Sequence, residues 1–293
     1  MPAGARQLTP DPGRRLRAGA AVAEPYAAQA GSPIGGSEGS YILERRIGES
    51  PVWRAIAASG QPVAVKTGPR EAIEREYRIL SRLQHPGIVT VLDRIEPQGS
   101  KDSADSSAEF GIVFEYLSGG DLVSLAGAAP AHWLRAGAEL IDALACLHRS
   151  GYVHRDIKAR NVLISEDGST RLIDFGSALP AGSPFTRGGT TLVAPARGDG
   201  PVAVDDDIFS LSALFFELLF GRTPEWPPFI GAGGAGATEV MLPAVKPEVP
   251  EACRELMRLV RRGLAVGAGL ARPRLEQYGA VMDSMRDQPG AHG

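Results

Sequence analysis

Hydrophobic positions fall first into short β-branched runs and then, past Leu122, into helical stripes. Tyr41-Ile42-Leu43, Val63-Ala64-Val65, Ile88-Val89-Thr90-Val91-Leu92 and Ile112-Val113-Phe114 are each bounded by turn residues, and they predict strands of one sheet. Between the second and third runs, Glu71 to Leu83 carries Ile73, Tyr77, Leu80 and Leu83 at helical spacing. Residues 97–109 are polar and predict a loop between two strands. Further on, Trp133, Leu134, Gly137, Leu140, Ile141, Leu144 and Leu147 form one apolar stripe ending near Gly151. Ile208 to Phe220 and Glu251 to about Leu264 predict two more helices, separated by a long loop rich in glycine and proline. The pattern is α+β: a small, mostly β lobe followed by a larger, mostly helical one.

Composition refines this picture. Residues 1–40 are rich in Ala, Gly, Pro and Ser and have no hydrophobic period, so they are expected to be a disordered tail; residues 286–293 are expected to be a flexible tail. The chain has 293 residues, 43% hydrophobic and 22% charged, enough for a sizeable core. A net charge of −3 argues against a nucleic-acid binder. The two cysteines, Cys146 and Cys253, supply neither a disulfide framework nor a four-ligand metal site, and scattered histidines propose no zinc site. No apolar run reaches 18 residues, and the arginines at the N-terminus precede no apolar stretch of signal-peptide type. The expectation is a cytoplasmic protein without a membrane partner.

The chemistry sits in the second half. His154-Arg155-Asp156-Ile157-Lys158-Ala159-Arg160-Asn161 follows a helix and precedes Val162-Leu163-Ile164, and Asp174-Phe175-Gly176 comes after apolar Leu172-Ile173. Asp156, Asn161 and Asp174 thereby gather at the mouth of a small hairpin. Phosphoryl transfer needs that inventory: a carboxylate to orient and deprotonate a hydroxyl, and oxygen ligands for a cation bridging the phosphates. Upstream, Lys66 on a strand and Glu76 on the next helix offer a cation for phosphates and an anion to aim it.

These motifs resemble the eukaryotic-like serine/threonine protein kinases over roughly residues 41–285. The matches are Val63-Ala64-Val65-Lys66, Glu76 before Tyr77-Arg78-Ile79-Leu80, His85-Pro86-Gly87-Ile88-Val89, the run from His154 to Asn161, Asp174-Phe175-Gly176, and Asp207-Ile208-Phe209-Ser210-Leu211. The resemblance implies a bilobal fold with an antiparallel N-lobe at 41–117, carrying one helix, and a mostly helical C-lobe at 118–285. It also implies ATP, Mg²⁺ (or Mn²⁺) and protein substrates with Ser or Thr, with autophosphorylation. By the same resemblance Lys66 holds the phosphates with Glu76 as partner, Asp156 is the base, Lys158 steadies the transferred phosphate, and Asn161 and Asp174 bind metal. Phe114-Glu115-Tyr116-Leu117 is the hinge, with Glu115 and Leu117 at the adenine edge and Phe114 at the inner pocket. Ala64 and Leu163 sandwich the purine, Asp121 contacts the ribose or a substrate residue, and Ile47 and Gly48 open the phosphate-covering turn. Arg155 beside the base implies activation by phosphorylation at Thr186, Thr190 or Thr191, with Ser183 a lesser candidate.

Three departures stand out. The phosphate-covering turn, Ile47-Gly48-Glu49-Ser50-Pro51-Val52, has one glycine where the family has three and is about three residues short. Ala194-Pro195-Ala196 lacks the family's glutamate, which leaves its expected partner Arg272 either exposed or paired elsewhere. The stretch from Gly189-Thr190 to Ala194-Pro195 is one residue short. These keep two other readings open: a pseudokinase scaffold, and a small-molecule phosphotransferase of the aminoglycoside type. Gly231-Ala232-Gly233-Gly234-Ala235-Gly236 fits a dinucleotide-binding string but lacks the strand before it and the helix after it, so it is expected to be a loop.

Overall fold

A computed structural model describes residues 30–48, 51–96, 110–184, 200–224, 251–265 and 271–287. Six antiparallel strands build the N-lobe: β1 (Pro33–Gly35), β2 (Ser40–Arg46), β3 (Val52–Ala57), β4 (Pro62–Gly68), β5 (Val91–Ile95) and β6 (Phe110–Glu115), in the order β1-β2-β3-β4-β6-β5. Alternation decides what each strand presents. In β4, Val63, Val65 and Thr67 are buried, while Ala64 and Lys66 share the opposite face. Val63 and Val65 join Tyr41, Leu43, Trp53, Ala55, Ile95 and Val113 in a small core inside the sheet.

Helix α1 (Arg70–Leu80) lies between β4 and β5 and buries Ile73, Glu76, Ile79 and Leu80. Ile73, Ile79 and Leu80 belong to a second, larger core that continues into the C-lobe. There α2 (Pro130–Arg149) starts on a proline, whose missing N–H costs nothing in a first helical turn. After it come β7 (Tyr152–Val153), the hairpin of β8 (Val162–Ile164) and β9 (Thr170–Leu172), and β10 (Leu179–Pro180) paired with β7. Helices α3 (Val204–Phe220), α4 (Glu251–Leu264) and α5 (Leu275–Arg286) complete the lobe. Both faces of α3 are apolar, which suits a helix at the centre of a lobe; its first turn holds Asp205, Asp206 and Asp207, favourable at the positive end of a helix.

Four details differ from the sequence reading. The sheet begins before residue 41, because Pro33, Ile34 and Gly35 pair with Ile42, Tyr41 and Ser40, so part of the expected tail of residues 1–40 is a strand. Val52–Ala57 is a full strand. The apolar run 88–92 divides between the lobes: Ile88 bridges to Leu172, and Val89 donates to the Leu172 carbonyl at 3.1 Å, so β5 starts only at Val91. Helix α5 was not anticipated, although Leu275, Tyr278, Val281, Met282 and Met285 are spaced for one buried face. Among the described residues no helix is long and apolar enough to cross a membrane. The tail residues 1–29 and 288–293, the polar loop 97–109, the Ala194-Pro195-Ala196 segment and the Gly231–Gly236 string lie outside the described residues.

Candidate active site

The upper wall of the cleft comes from three distant segments. Lys66 reaches from β4 to α1, its Nζ 3.0 Å from Glu76 Oε1 and 2.7 Å from Oε2. The same ammonium lies 2.7 Å from Asp174 Oδ1. Glu76 Oε1 also accepts from the Phe175 N–H at 3.2 Å, which ties α1 to the short 3-10 turn Phe175–Ser177. Burial alone would lower the Lys66 pKa, but Glu76 and Asp174 outweigh it and hold the ammonium above its ordinary value. Burial works against the Asp174 charge too, and Lys66 overrides it, so that carboxyl lies below the usual range. Burial pushes Glu76 up, against the pull of Lys66. Asp174 has a left-handed backbone (φ 62°), a conformation rare for non-glycine residues and typical of places where the surrounding contacts outvote local preference.

The lower wall is one loop. Asp156 Oδ2 accepts from Lys158 Nζ at 2.8 Å and from Asn161 Nδ2 at 2.9 Å. The same Asn161 nitrogen donates to the Asp156 carbonyl at 2.8 Å, so Oδ1 is the atom of that amide that could hold a cation. Beneath this loop lies Asp207 of α3, with no exposed surface. Its Oδ2 accepts from the His154 N–H and from His148 Nε2, both at 2.8 Å, and its Oδ1 accepts from the Arg155 N–H at 2.7 Å. Two consecutive N–H groups converge on one side chain because Arg155 also adopts the left-handed region (φ 69°). His154 donates through Nε2 to the Ile173 carbonyl at 3.1 Å and accepts the Asp156 N–H at Nδ1. Burial lowers its pKa, and a neutral ring with that tautomer meets both bonds. The ring also packs edge-on against Phe175, with centroids 4.7 Å apart, linking the loop to the Asp174 turn.

The remaining residues expected at the site fall around this cleft. Ala64 pairs with Phe114 across β4 and β6. Glu115 follows Phe114, with its N–H engaged by the Thr90 carbonyl at 3.1 Å. Its carboxylate turns behind the cleft to the Thr90 N–H (2.8 Å) and to Arg171 Nε (3.3 Å). Leu117 is half-buried in the segment joining the lobes. Asp121 and Leu163 form an isolated bridge. The Asp121 carboxylate caps the 3-10 turn Leu122–Leu125 through the Val123 N–H at 3.1 Å, a local duty separate from any ligand. Ile47 donates to the Val52 carbonyl at 2.8 Å, and Gly48 has φ 64°. Glu49 and Ser50 lie outside the described residues.

Sequence reasoning gave no role to Asp207 and missed His148; the signal available was Asp207 heading a motif match. Arg272, bereft of a glutamate at position 196, is half-buried. It donates to the Gly263 carbonyl and stacks over the Phe209 ring at 5.1 Å, with Asp205 and Asp206 as its electrostatic partners. Arg155 donates to the Ser177 carbonyl at 3.3 Å. Of the proposed phosphorylation positions only Ser183 is described; Thr186, Thr190 and Thr191 lie outside the described residues.

The protein kinase domain family matches residues 44–231. Among curated relatives, serine/threonine-protein kinase PknL of Mycobacterium tuberculosis is 34% identical over 208 residues, covering 63% of this chain and 50% of that protein. PknA of the same species is 30% identical over 252 residues (75% and 56%), and PkaA of Streptomyces coelicolor 33% over 247 residues (71% and 42%). The chain thus spans about half the length of the curated relatives it matches. The solved structure of the Cydia pomonella granulovirus kinase PK-1 superposes with a TM-score of 0.63 at 17% identity, covering 81% of this chain and 92% of that one, a likeness of fold.

Proposed function

We propose that this chain, which belongs to the protein kinase domain family, transfers the γ-phosphate of ATP to serine or threonine hydroxyls of proteins. One observation carries the reading: the Lys66–Glu76–Asp174 cluster and the Asp156–Lys158–Asn161 cluster are both assembled, on the two walls of one cleft. A kinase needs the strand lysine aimed by its helix glutamate and the turn aspartate in place at the same time.

The roles follow from the chemistry of each group. The Lys66 ammonium binds phosphate oxygens, and Glu76 sets its direction. The purine lies between Ala64 and Leu163 against the Glu115–Leu117 segment, with Ile47 and Gly48 above it and Asp121 toward the ribose. Asp156 accepts the proton of the attacking hydroxyl. Lys158, 2.8 Å from that carboxylate, is placed to follow the transferring phosphoryl group with its charge. The amide oxygen of Asn161 and the carboxylate of Asp174 are hard oxygen donors of the type Mg²⁺ or Mn²⁺ accepts, and two protein ligands suffice where phosphates and water complete the shell. When bound, such a cation neutralises charge on the phosphates during transfer.

The intact clusters weigh against a scaffold without activity, and Lys158 with the family match weighs against a small-molecule kinase. The test is incubation with γ-labelled ATP, Mg²⁺ or Mn²⁺, and a mixture of generic protein substrates, followed by phosphosite mapping. Label on Ser or Thr, absent with Asp156→Asn, is the expected result. Absence of label from every protein, including the chain itself, overturns the assignment.

A further inference from the structure

The family match begins at residue 44, yet residues 33–41 are built into the lobe ahead of it. After β1 the chain turns at Gly36 to Gly39 and crosses to β5, at the far edge of the same sheet. The anchor is Asp93, only 5% exposed. Its Oδ1 accepts from the Ser37 N–H at 3.1 Å and from the Arg94 N–H at 2.6 Å. Its Oδ2 accepts from the Glu38 N–H at 3.0 Å and from the Tyr41 hydroxyl at 2.8 Å. Ser37 adds a backbone bond and a hydroxyl bond to the Arg94 carbonyl, at 3.0 and 3.2 Å. Four donors meet this one buried carboxylate, and leaving such a charged group unpaired is costly. Close approach is part of the fit. A Cβ on Gly36 would stand 2.1 Å from Asp93 Oδ2, so any side chain there would have to displace the carboxylate from its donors.

Arg94, next in sequence, points its guanidinium at α1. Its Nη2 lies 3.3 Å from Glu74 Oε1 and 3.0 Å from Glu96 Oε1, and the group stacks over Tyr77 at 5.4 Å. Glu74 also holds Arg70 at 2.8 Å, and Arg70 stacks over Phe110 of β6 at 4.9 Å. Glu74 and Tyr77 flank Glu76, the α1 residue that meets Lys66 and the Phe175 N–H. A continuous set of bonds therefore runs from the turn at 36–38 through Asp93 and Arg94 to the outer side of the helix whose inner side completes the cleft.

We propose that residues 33–38 form a strap which, through Asp93 and Arg94, fixes α1 at the depth where Glu76 engages Lys66. Asp93 and Arg94 are positioning residues of the phosphate-binding wall, and the strap lies outside the segment that carries the family pattern. The inference rests on the proposed function for its effect on catalysis, but the position of α1 is measurable without any turnover.

The test uses the full chain with Gly36→Val, which forces the turn off Asp93, and Arg94→Ala, which spares the turn and cuts its link to α1. Amide hydrogen exchange across residues 73–80 is read beside that across α2, with kcat and KM for ATP measured in parallel. The expected result is faster exchange in α1 with α2 unchanged, and a fall in kcat/KM of about three- to thirtyfold in each variant. The double variant loses no more than the worse single one, because both act on one line of contacts, and Arg94→Lys recovers part of the loss. Wild-type exchange and kinetics in either variant, additive losses, or an equal rise of exchange in α1 and α2 would each overturn the strap. A wild-type chain that transfers no phosphate refutes the proposed function, while the exchange in α1 still decides the strap.

Discussion

The two walls of the cleft are held by contacts of opposite range. On the lower wall Asp156 meets partners two and five positions along the chain, so forming the loop forms the cluster. On the upper wall Lys66 meets partners 10 and 108 positions away, and Glu76 meets Phe175 across 99. The first arrangement is written into one loop and stiffened by Asp207 from below. The second exists only when β4, α1 and the Asp174 turn are all in register. The upper wall therefore depends on the position of α1, while the bonds of the lower one do not involve it.

The largest expected effect divides the two walls cleanly. Asp156→Asn keeps an oxygen for Lys158 and a similar shape, yet removes the proton acceptor. Transfer should fall about 10²- to 10⁴-fold, the usual weight of a general base. The rise in melting temperature with Mg-ATP should persist, since the upper wall is untouched. A variant retaining more than about a tenth of the activity would remove Asp156 from the role.

Asp207→Ala attacks the support of the lower wall. It strands the His154 and Arg155 N–H groups and the His148 ring in a buried site, each worth about 1–3 kcal/mol when left unpaired. Denaturant unfolding should show a loss of several kcal/mol, much greater than for Asp121→Ala, which removes a single cap. Equal losses in the two would mean that Asp207 does not brace the loop.

Breaking the upper wall should show first as lost ligand binding. Lys66→Met and Asp174→Ala should each shrink the Mg-ATP melting shift, because stabilisation by a ligand follows its affinity; a shift of wild-type size for Asp174→Ala would contradict metal-dependent binding there. The pH dependence carries a sign. With the Lys66 pKa raised by its two carboxylates, its ion pairs contribute stability in full below the ordinary lysine value and lose it as pH climbs through the raised one. Wild type should therefore lose melting temperature more steeply than Lys66→Met on the alkaline side, and parallel curves would show that the pairs contribute nothing.

The same contrast of range explains what the sequence made legible. The loop from His154 to Asn161 is a contiguous string in which each residue type implies its neighbour's task, and Asp156, Lys158 and Asn161 meet within it. Lys66 and Glu76 were readable only through order along the chain, since nothing local to either says that they touch. The Glu115 carboxylate gave no sign that it turns toward Arg171, a contact 56 positions away. Strand β1 was invisible for a related reason. Pro33-Ile34-Gly35 has no pattern of its own, and its strand is imposed by pairing with β2 and by the Asp93 carboxylate. The run Ile88–Leu92 read as one strand because it is uniformly apolar, and only the approach of Leu172 divides it between the lobes.

The smallest effect belongs to the turn between β2 and β3. A longer glycine-rich hairpin brings backbone N–H groups close to phosphates, because no Cβ stands in the way. Here residues 47–51 make the whole connection, Pro51 has no N–H to give, and its carbonyl is already taken by the Thr67 N–H at 3.1 Å. Ile47 spends its own N–H on the Val52 carbonyl at 2.8 Å. Glu49 adds a negative charge to the same segment. Against this, in the proposed reaction Lys66 and a cation would supply most of the neutralising charge, and neither depends on the turn. Replacing residues 48–51 with a full Gly-x-Gly-x-x-Gly hairpin should lower KM for ATP several-fold and change kcat less. Because the graft touches neither wall directly, Asp156→Asn should remain as inactive in the grafted chain as in the original. If KM stays where it was or rises, the short turn is no deficit, and the phosphates are already covered by groups of the upper wall.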